Sequence, residues 1–142
     1  MLKTPRACLL SVLILISATA AGVADAKDQL APNEKLTPGQ FLQNGNSKLI
    51  LQQDGNLVLY RGTKVLWSTG TNKVAVRDAI MQGDGNFVLY RKDNKAIWAS
   101  GTVGKPGSYL GLQADGSLSI FLVPPPVAIW TAKPRPVGVD SQ

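Results

Sequence analysis

An all-β domain made of three copies of one small antiparallel sheet is what this sequence predicts, on three observations. A ten-residue block is written three times, at 51–60, 81–90 and 112–121, with Gln52, Gln82 and Gln113 spaced 30 and 31 residues apart. Each block sets Asp-Gly between two apolar or alternating runs, which is among the strongest short hairpin signals. A tryptophan follows each block, at Trp67, Trp98 and Trp130. Helical amphipathic spacing is absent.

The elements follow in order. In the first copy the spacing predicts strands at 48–53 and 56–61 around Asp54-Gly55, with both turn residues favouring positive φ, and a third strand at 65–68. The second copy predicts 79–83, 86–91 and 96–99 around Asp84-Gly85. The third predicts 109–114, 117–121 and 128–131 around Asp115-Gly116. Residues 68–72 and 100–108 read as turn-rich linkers. Prolines 124–126 mark a loop or sheet edge, because proline cannot donate to a ladder.

Strand side chains alternate between faces, so Leu57 and Leu59, Phe87 and Leu89, and Leu118 and Ile120 form one apolar set suited to a shared core. The opposite face carries Asn56, Val58 and Tyr60 in the first copy and Asn86, Val88 and Tyr90 in the second. The third has Ser117, Ser119 and Phe121. The tryptophans survive in all three copies, including the one whose polar set has decayed. They therefore read as one buried hub where the sheets meet, each ring offering about 150–250 Å² for burial.

Residues 1–26 read as a secretory signal peptide: Lys3 and Arg6, an apolar run from Ala7 to Ile16, then small residues suited to cleavage. That run is too short to span a bilayer, no later stretch is long enough, and membrane insertion is not expected. Residues 27–142 are then one secreted domain. Cys8, the chain's single cysteine, leaves with the leader. The remainder has no thiol for a disulfide, a zinc site or a nucleophile, and its stability must come from packing. Its 13 Lys and Arg against 8 Asp and Glu leave +5. The cations are scattered, with only Arg91, Lys92 and Lys95 close together, which reads as solvated surface and not as a nucleic-acid patch.

Polar identities are copied along with the apolar pattern, although a fold needs only the pattern. Gln52, Asp54, Asn56, Val58 and Tyr60 spell Q-x-D-x-N-x-V-x-Y, and Gln82, Asp84, Asn86, Val88 and Tyr90 spell it again. Two amides, a carboxylate, a phenol and a small apolar surface suit the vicinal hydroxyls and C–H face of a pyranose. Hairpin chemistry accounts for Asp-Gly-Asn. It does not account for Gln two residues before the Asp or Tyr six after it. In the third copy only Gln113 and Asp115 survive, and this degenerate site is expected not to bind.

The motif and its threefold repetition resemble the monocot mannose-binding lectin family, also called bulb-type or snowdrop-type lectins. The stretch 36–42 resembles the family's segment before its first motif, and the match covers about residues 28–132. The resemblance implies the β-prism II fold: three four-stranded antiparallel sheets around a pseudo-threefold axis, one tryptophan per sheet inside. It implies that Gln52, Asp54, Asn56 and Tyr60 hydrogen-bond mannose hydroxyls while Val58 touches the ring, and that Gln82, Asp84, Asn86, Tyr90 and Val88 repeat this. No cofactor and no metal are implied. Plant members commonly carry a disulfide, for which Gly55 and the rest of the domain offer no thiol. They also often exchange C-terminal strands to form dimers; Pro134 and Pro136 argue against that form, and a homo-oligomer stays open.

The chain has no histidine, hence no His-based triad or metal site. Its motif carboxylates fall on separate repeats and not as a glycosidase pair. An enzyme is not expected. The partners expected are mannose-containing glycans or polysaccharides, and the alternative is a protein-interaction scaffold on the same fold with vestigial pockets.

Overall fold

The computed structural model describes residues 26–124 and 126–134. The expected signal peptide, with Cys8, lies outside the described residues save for Ala26, and so does Pro136. Twelve strands run in order as β1 (Gln29–Leu30), β2 (Lys35–Leu36), β3 (Phe41–Asn44), β4 (Ser47–Leu51), β5 (Leu57–Arg61), β6 (Lys64–Ser68), β7 (Val76–Met81), β8 (Phe87–Arg91), β9 (Ala96–Ala99), β10 (Tyr109–Leu112), β11 (Leu118–Leu122) and β12 (Val127–Thr131). They form three four-stranded sheets, ordered β3-β4-β5-β6, β2-β7-β8-β9 and β1-β10-β11-β12. The pairings are antiparallel throughout. This is the β-prism II arrangement.

Each repeat supplies three strands of its sheet, as the residues predict. The fourth comes from one segment, 29–44, which gives a strand to each sheet in turn. Leu30, Leu36 and Leu42, six residues apart, each enter the core, at 2%, 4% and 0% exposure. A two-residue strand has too little periodicity to be read by alternation, so the leucine spacing was the available signal.

Two expectations about the strands need correction. The hairpin turns are not two-residue turns with both residues at positive φ. The Gly55 amide donates to the Gln52 carbonyl (3.0 Å) and the Gln52 amide to the Asn56 carbonyl (2.8 Å), and of Asp54 and Gly55 only the glycine has positive φ, 93°. This is a three-residue loop ending in a glycine bulge. Asp54 avoids the left-handed region because its Oδ1 accepts from the Asn56 amide (2.9 Å), an Asx turn. Second, β7 begins at Val76, three residues before the expected 79, because a register shift between Val76 and Asp78 breaks the alternation.

The core is aliphatic with one phenylalanine: Leu49, Leu51, Leu57, Leu59, Met81, Phe87, Leu89, Leu110, Leu118 and Ile120 are closed to solvent or nearly so. The tryptophans converge as expected, edge to face, with centroids 5.5 Å apart for Trp67–Trp98 and 5.8 Å for the other two pairs. They are not fully buried. All three rings pack against the core yet stay partly exposed, because β6, β9 and β12 are the last strands of their sheets and no strand covers them.

Hairpin tips lock the sheets together. A Cβ on Gly55 would collide with the Val74 carbonyl oxygen, and one on Gly85 with that of Lys105. The first of these positions is where a cysteine was noted as missing; the neighbouring loop leaves no room for one.

Candidate functional site

Each motif is assembled by one hairpin. The β4–β5 register pairs Ile50 with Val58 and Leu51 with Leu57, so Ile50, Gln52, Val58 and Tyr60 share the face turned away from the core. Gln52 Nε2 donates to the Tyr60 hydroxyl oxygen at 2.9 Å. In the second hairpin Gln82 Nε2 donates to Tyr90 at 2.6 Å. Each tyrosine oxygen therefore accepts from its own motif and keeps its proton for another partner.

Asn56 is fixed by its oxygen. Oδ1 accepts from the amides of Gly70 (2.9 Å) and Thr71 (3.2 Å) and from the Thr69 hydroxyl (3.3 Å). Thr71 in turn donates to the Gly55 carbonyl at 2.7 Å. The second copy repeats the arrangement: Asn86 Oδ1 accepts from Gly101 (3.0 Å), Thr102 (3.2 Å) and the Ser100 hydroxyl (3.1 Å). With the oxygen saturated, Nδ2 of each asparagine is left as the available donor. Among the described residues it has no partner.

Asp54 and Asp84 each use Oδ1 to hold the turn, at 2.9 Å and 3.0 Å from the amides of Asn56 and Asn86, which leaves Oδ2 as an acceptor. Each site thus presents an amide oxygen, a carboxylate oxygen, an amide donor and a phenolic donor around a small apolar floor. Val58 and Val88 are only 4% and 2% exposed. They give that floor a sliver of surface, with Ile50 and Ile80 beside them.

The third copy lacks the polar set of the other two. Asp115 still holds its turn through Ser117 (2.9 Å), and the Ser117 backbone amide, then its hydroxyl, keep the carboxyl below its ordinary value of 3.8. Gln113 has no phenol to meet. Ser119 and Thr131 hydrogen-bond each other at 2.8 Å. Phe121 stacks on Tyr109, centroids 5.4 Å apart, and lies over Gly111, where an added Cβ would come within 3.1 Å of its ring.

The supporting hydroxyls and glycines were missed by the sequence reading, which took 68–72 and 100–108 for linkers. Their signal was present: Thr69-Gly70-Thr71 and Ser100-Gly101-Thr102 follow Trp67 and Trp98 at the same distance. Charged neighbours were also missed. Lys48 stands opposite Tyr60 and Asp78 opposite Tyr90. Among the described residues no group of His, Cys, Asp and Glu could hold a metal ion.

No family model matches the chain. A mannose-specific lectin of Dendrobium findlayanum is 40% identical over 60 residues, 42% of this chain and 36% of that protein, so the match spans little more than a third of that relative's length. A mannose-specific lectin of Aloe arborescens is 37% identical over 101 residues, covering 69% of this chain and 91% of the relative. The chain belongs to the monocot mannose-binding lectin family. Snowdrop (Galanthus nivalis) agglutinin, solved with methyl α-D-mannoside, superposes on this family member with a TM-score of 0.62 at 34% identity, covering 82% of this chain and all of the agglutinin. Proteins of this lectin family bind carbohydrate without catalysing a reaction, in line with the reading of the chain as a non-enzyme.

Proposed function

We propose that this protein is a secreted, metal-independent lectin that binds terminal mannose at two pockets, Gln52, Asp54, Asn56, Val58 and Tyr60 in one and Gln82, Asp84, Asn86, Val88 and Tyr90 in the other. One observation carries the reading: twice over, the fold uses one atom of each polar side chain to fix it and leaves the complementary atom outward. Vicinal hydroxyls donate to the Gln oxygen and the Asp Oδ2, and accept from Asn Nδ2 and the Tyr hydroxyl. The relatives' mannose specificity supports the sugar. The leader pattern in 1–26 supports secretion.

A shallow polar pocket of this kind binds a monosaccharide at about millimolar strength, near −4 kcal/mol. Two pockets engaged on one polysaccharide raise retention by about 10²–10⁴-fold without new contacts. Calorimetry with methyl α-mannoside is expected to give a stoichiometry near two per chain, unchanged by EDTA. Asp54→Asn or Asp84→Asn is expected to leave one weak site and to reduce retention on mannan sharply. A stoichiometry near three, or full mannan retention by the folded double variant, counts against the reading.

A further inference from the structure

The two pockets share five residues but not their neighbours. Lys48 faces Tyr60 across β4 and β5, whereas the same register in the second hairpin puts Asp78 opposite Tyr90. In the first pocket Lys48, Ile50, Gln52, Tyr60, Gly62 and Thr63 line one concavity of about 470 Å³. Two of the five motif residues, Gln52 and Tyr60, thus share this concavity with an ammonium.

The state of the two charges differs as well. Asp78 is 2% exposed and is covered by Arg77 Nε at 2.9 Å and Lys35 Nζ at 3.5 Å. The Arg77 guanidinium, 5.1 Å from the Tyr90 ring centroid, is committed to Asp78 and to Asn94. At the edge of the second pocket, then, two cations are already engaged by one buried carboxylate. Lys48 has no carboxylate partner among the described residues; its Nζ lies 4.2 Å from the centroid of the Phe41 ring. An aromatic face holds an ammonium in place without neutralising it. The motif carboxylate, Asp54, stands in the hairpin loop, at the opposite end of β4 from Lys48.

We propose that Lys48 makes the first pocket selective for mannose glycans bearing an anionic substituent, phosphate in the first place, while the second pocket takes neutral mannose. This refinement rests on the mannose reading of the pockets. A phosphate ester offers several acceptor oxygens to the three ammonium donors, and a charge-assisted bond is about twice as strong as a neutral one.

The test compares a phosphomannan with the same mannan after dephosphorylation, by titration of the secreted protein at low and high salt. Wild type is expected to bind the phosphorylated polymer about five- to tenfold more tightly at low ionic strength, an advantage that shrinks as salt screens the exposed charge. Lys48→Gln should abolish the advantage and retain neutral mannan binding, and Lys48→Arg should keep both. The advantage should survive Asp84→Asn and disappear with Asp54→Asn. Free inorganic phosphate should compete poorly. Equal binding of both polymers by wild type, or an advantage persisting in Lys48→Gln, overturns the proposal, since scattered surface cations would then be its source. Inorganic phosphate competing as well as phosphomannan overturns it also. No binding of neutral mannan by wild type would instead refute the underlying mannose reading.

Discussion

On the proposed reading Asn56 and Asn86 separate folding from binding, because each uses Oδ1 to hold its loop and leaves Nδ2 outward. Asn56→Asp keeps the Oδ1 acceptor that holds Thr69, Gly70 and Thr71 and replaces the outward Nδ2 donor with an acceptor. The bonds from the two amides become charge-assisted, so stability should hold within about 0.5 kcal/mol. Binding should not. A sugar hydroxyl loses its donor and meets a second carboxylate beside Asp54, a loss of about 1.5–3 kcal/mol, or roughly 10- to 150-fold. That takes a millimolar site out of the measurable range. Asn56→Ala instead strips three donors of their acceptor, and since Thr71 is only 8% exposed it should lower stability by about 1–3 kcal/mol. Calorimetry and thermal melts should thus show one site remaining in either Asp variant, none in the double variant, and a lowered Tm only for the alanine change. A folded double Asp variant that still binds mannose, or an Asn56→Ala protein as stable as wild type, refutes the division of labour.

Three further outcomes are expected. Trp98→Ala should cost about 3 kcal/mol in denaturant melts, at the low end for a large aromatic because the ring is partly exposed; a cost below about 1 kcal/mol would mean that the three rings do not support one another. Lys73, at φ 70°, donates its amide to the Asp54 carbonyl as Gly104, at φ 90°, does to that of Asp84, so Lys73→Gly should raise stability by up to about 1 kcal/mol as left-handed strain is relieved; a clear loss would show that the lysine side chain supports the loop. Glu34 is held below its ordinary value of 4.5, first by the Lys27 ammonium and then by the Ala31 amide. Its folded-state pKa is the lower one, so its contribution is complete above about 4.5 and is lost as pH falls through that folded value. Glu34→Gln should accordingly lower stability by less than about 1 kcal/mol at neutral pH, with the difference closing in acid; a gap that persists there would assign the effect to shape and not to charge.

The repeated hairpins, their hydrophobic faces and the converging tryptophans were legible because each rests on local periodicity. What escaped depends on partners distant in sequence. Gln29 and Leu30 become a strand only against Gly111 and Leu110, and nothing local marks two residues as paired. The partial exposure of the tryptophans follows from their place on edge strands, which strand order decides and the pattern within one repeat does not. Likewise Asp54 was readable as a turn former or as a ligand group; the structure shows it forming the turn through Oδ1 and leaves Oδ2 for the proposed second role.

The third repeat lacks the polar network of the other two. Ala132 occupies the place of Thr69 and Ser100: its amide donates to Leu118 as theirs do to Leu57 and Phe87. With it the hydroxyl is gone, Lys133 and Pro134 stand where Gly70-Thr71 and Gly101-Thr102 would follow, and Ser117 replaces the asparagine. The sheet is unharmed by these losses: β10 and β11 pair in register across four residues, and Leu118 and Ile120 are fully buried. A network that the sheet itself required would have to survive in every copy, as the apolar core positions and the tryptophans do. This one is present where the outward Gln, Asp, Asn and Tyr are complete and absent where they are not, which on the proposed reading gives its hydroxyls and glycines the task of holding Asn56 and Asn86 in place.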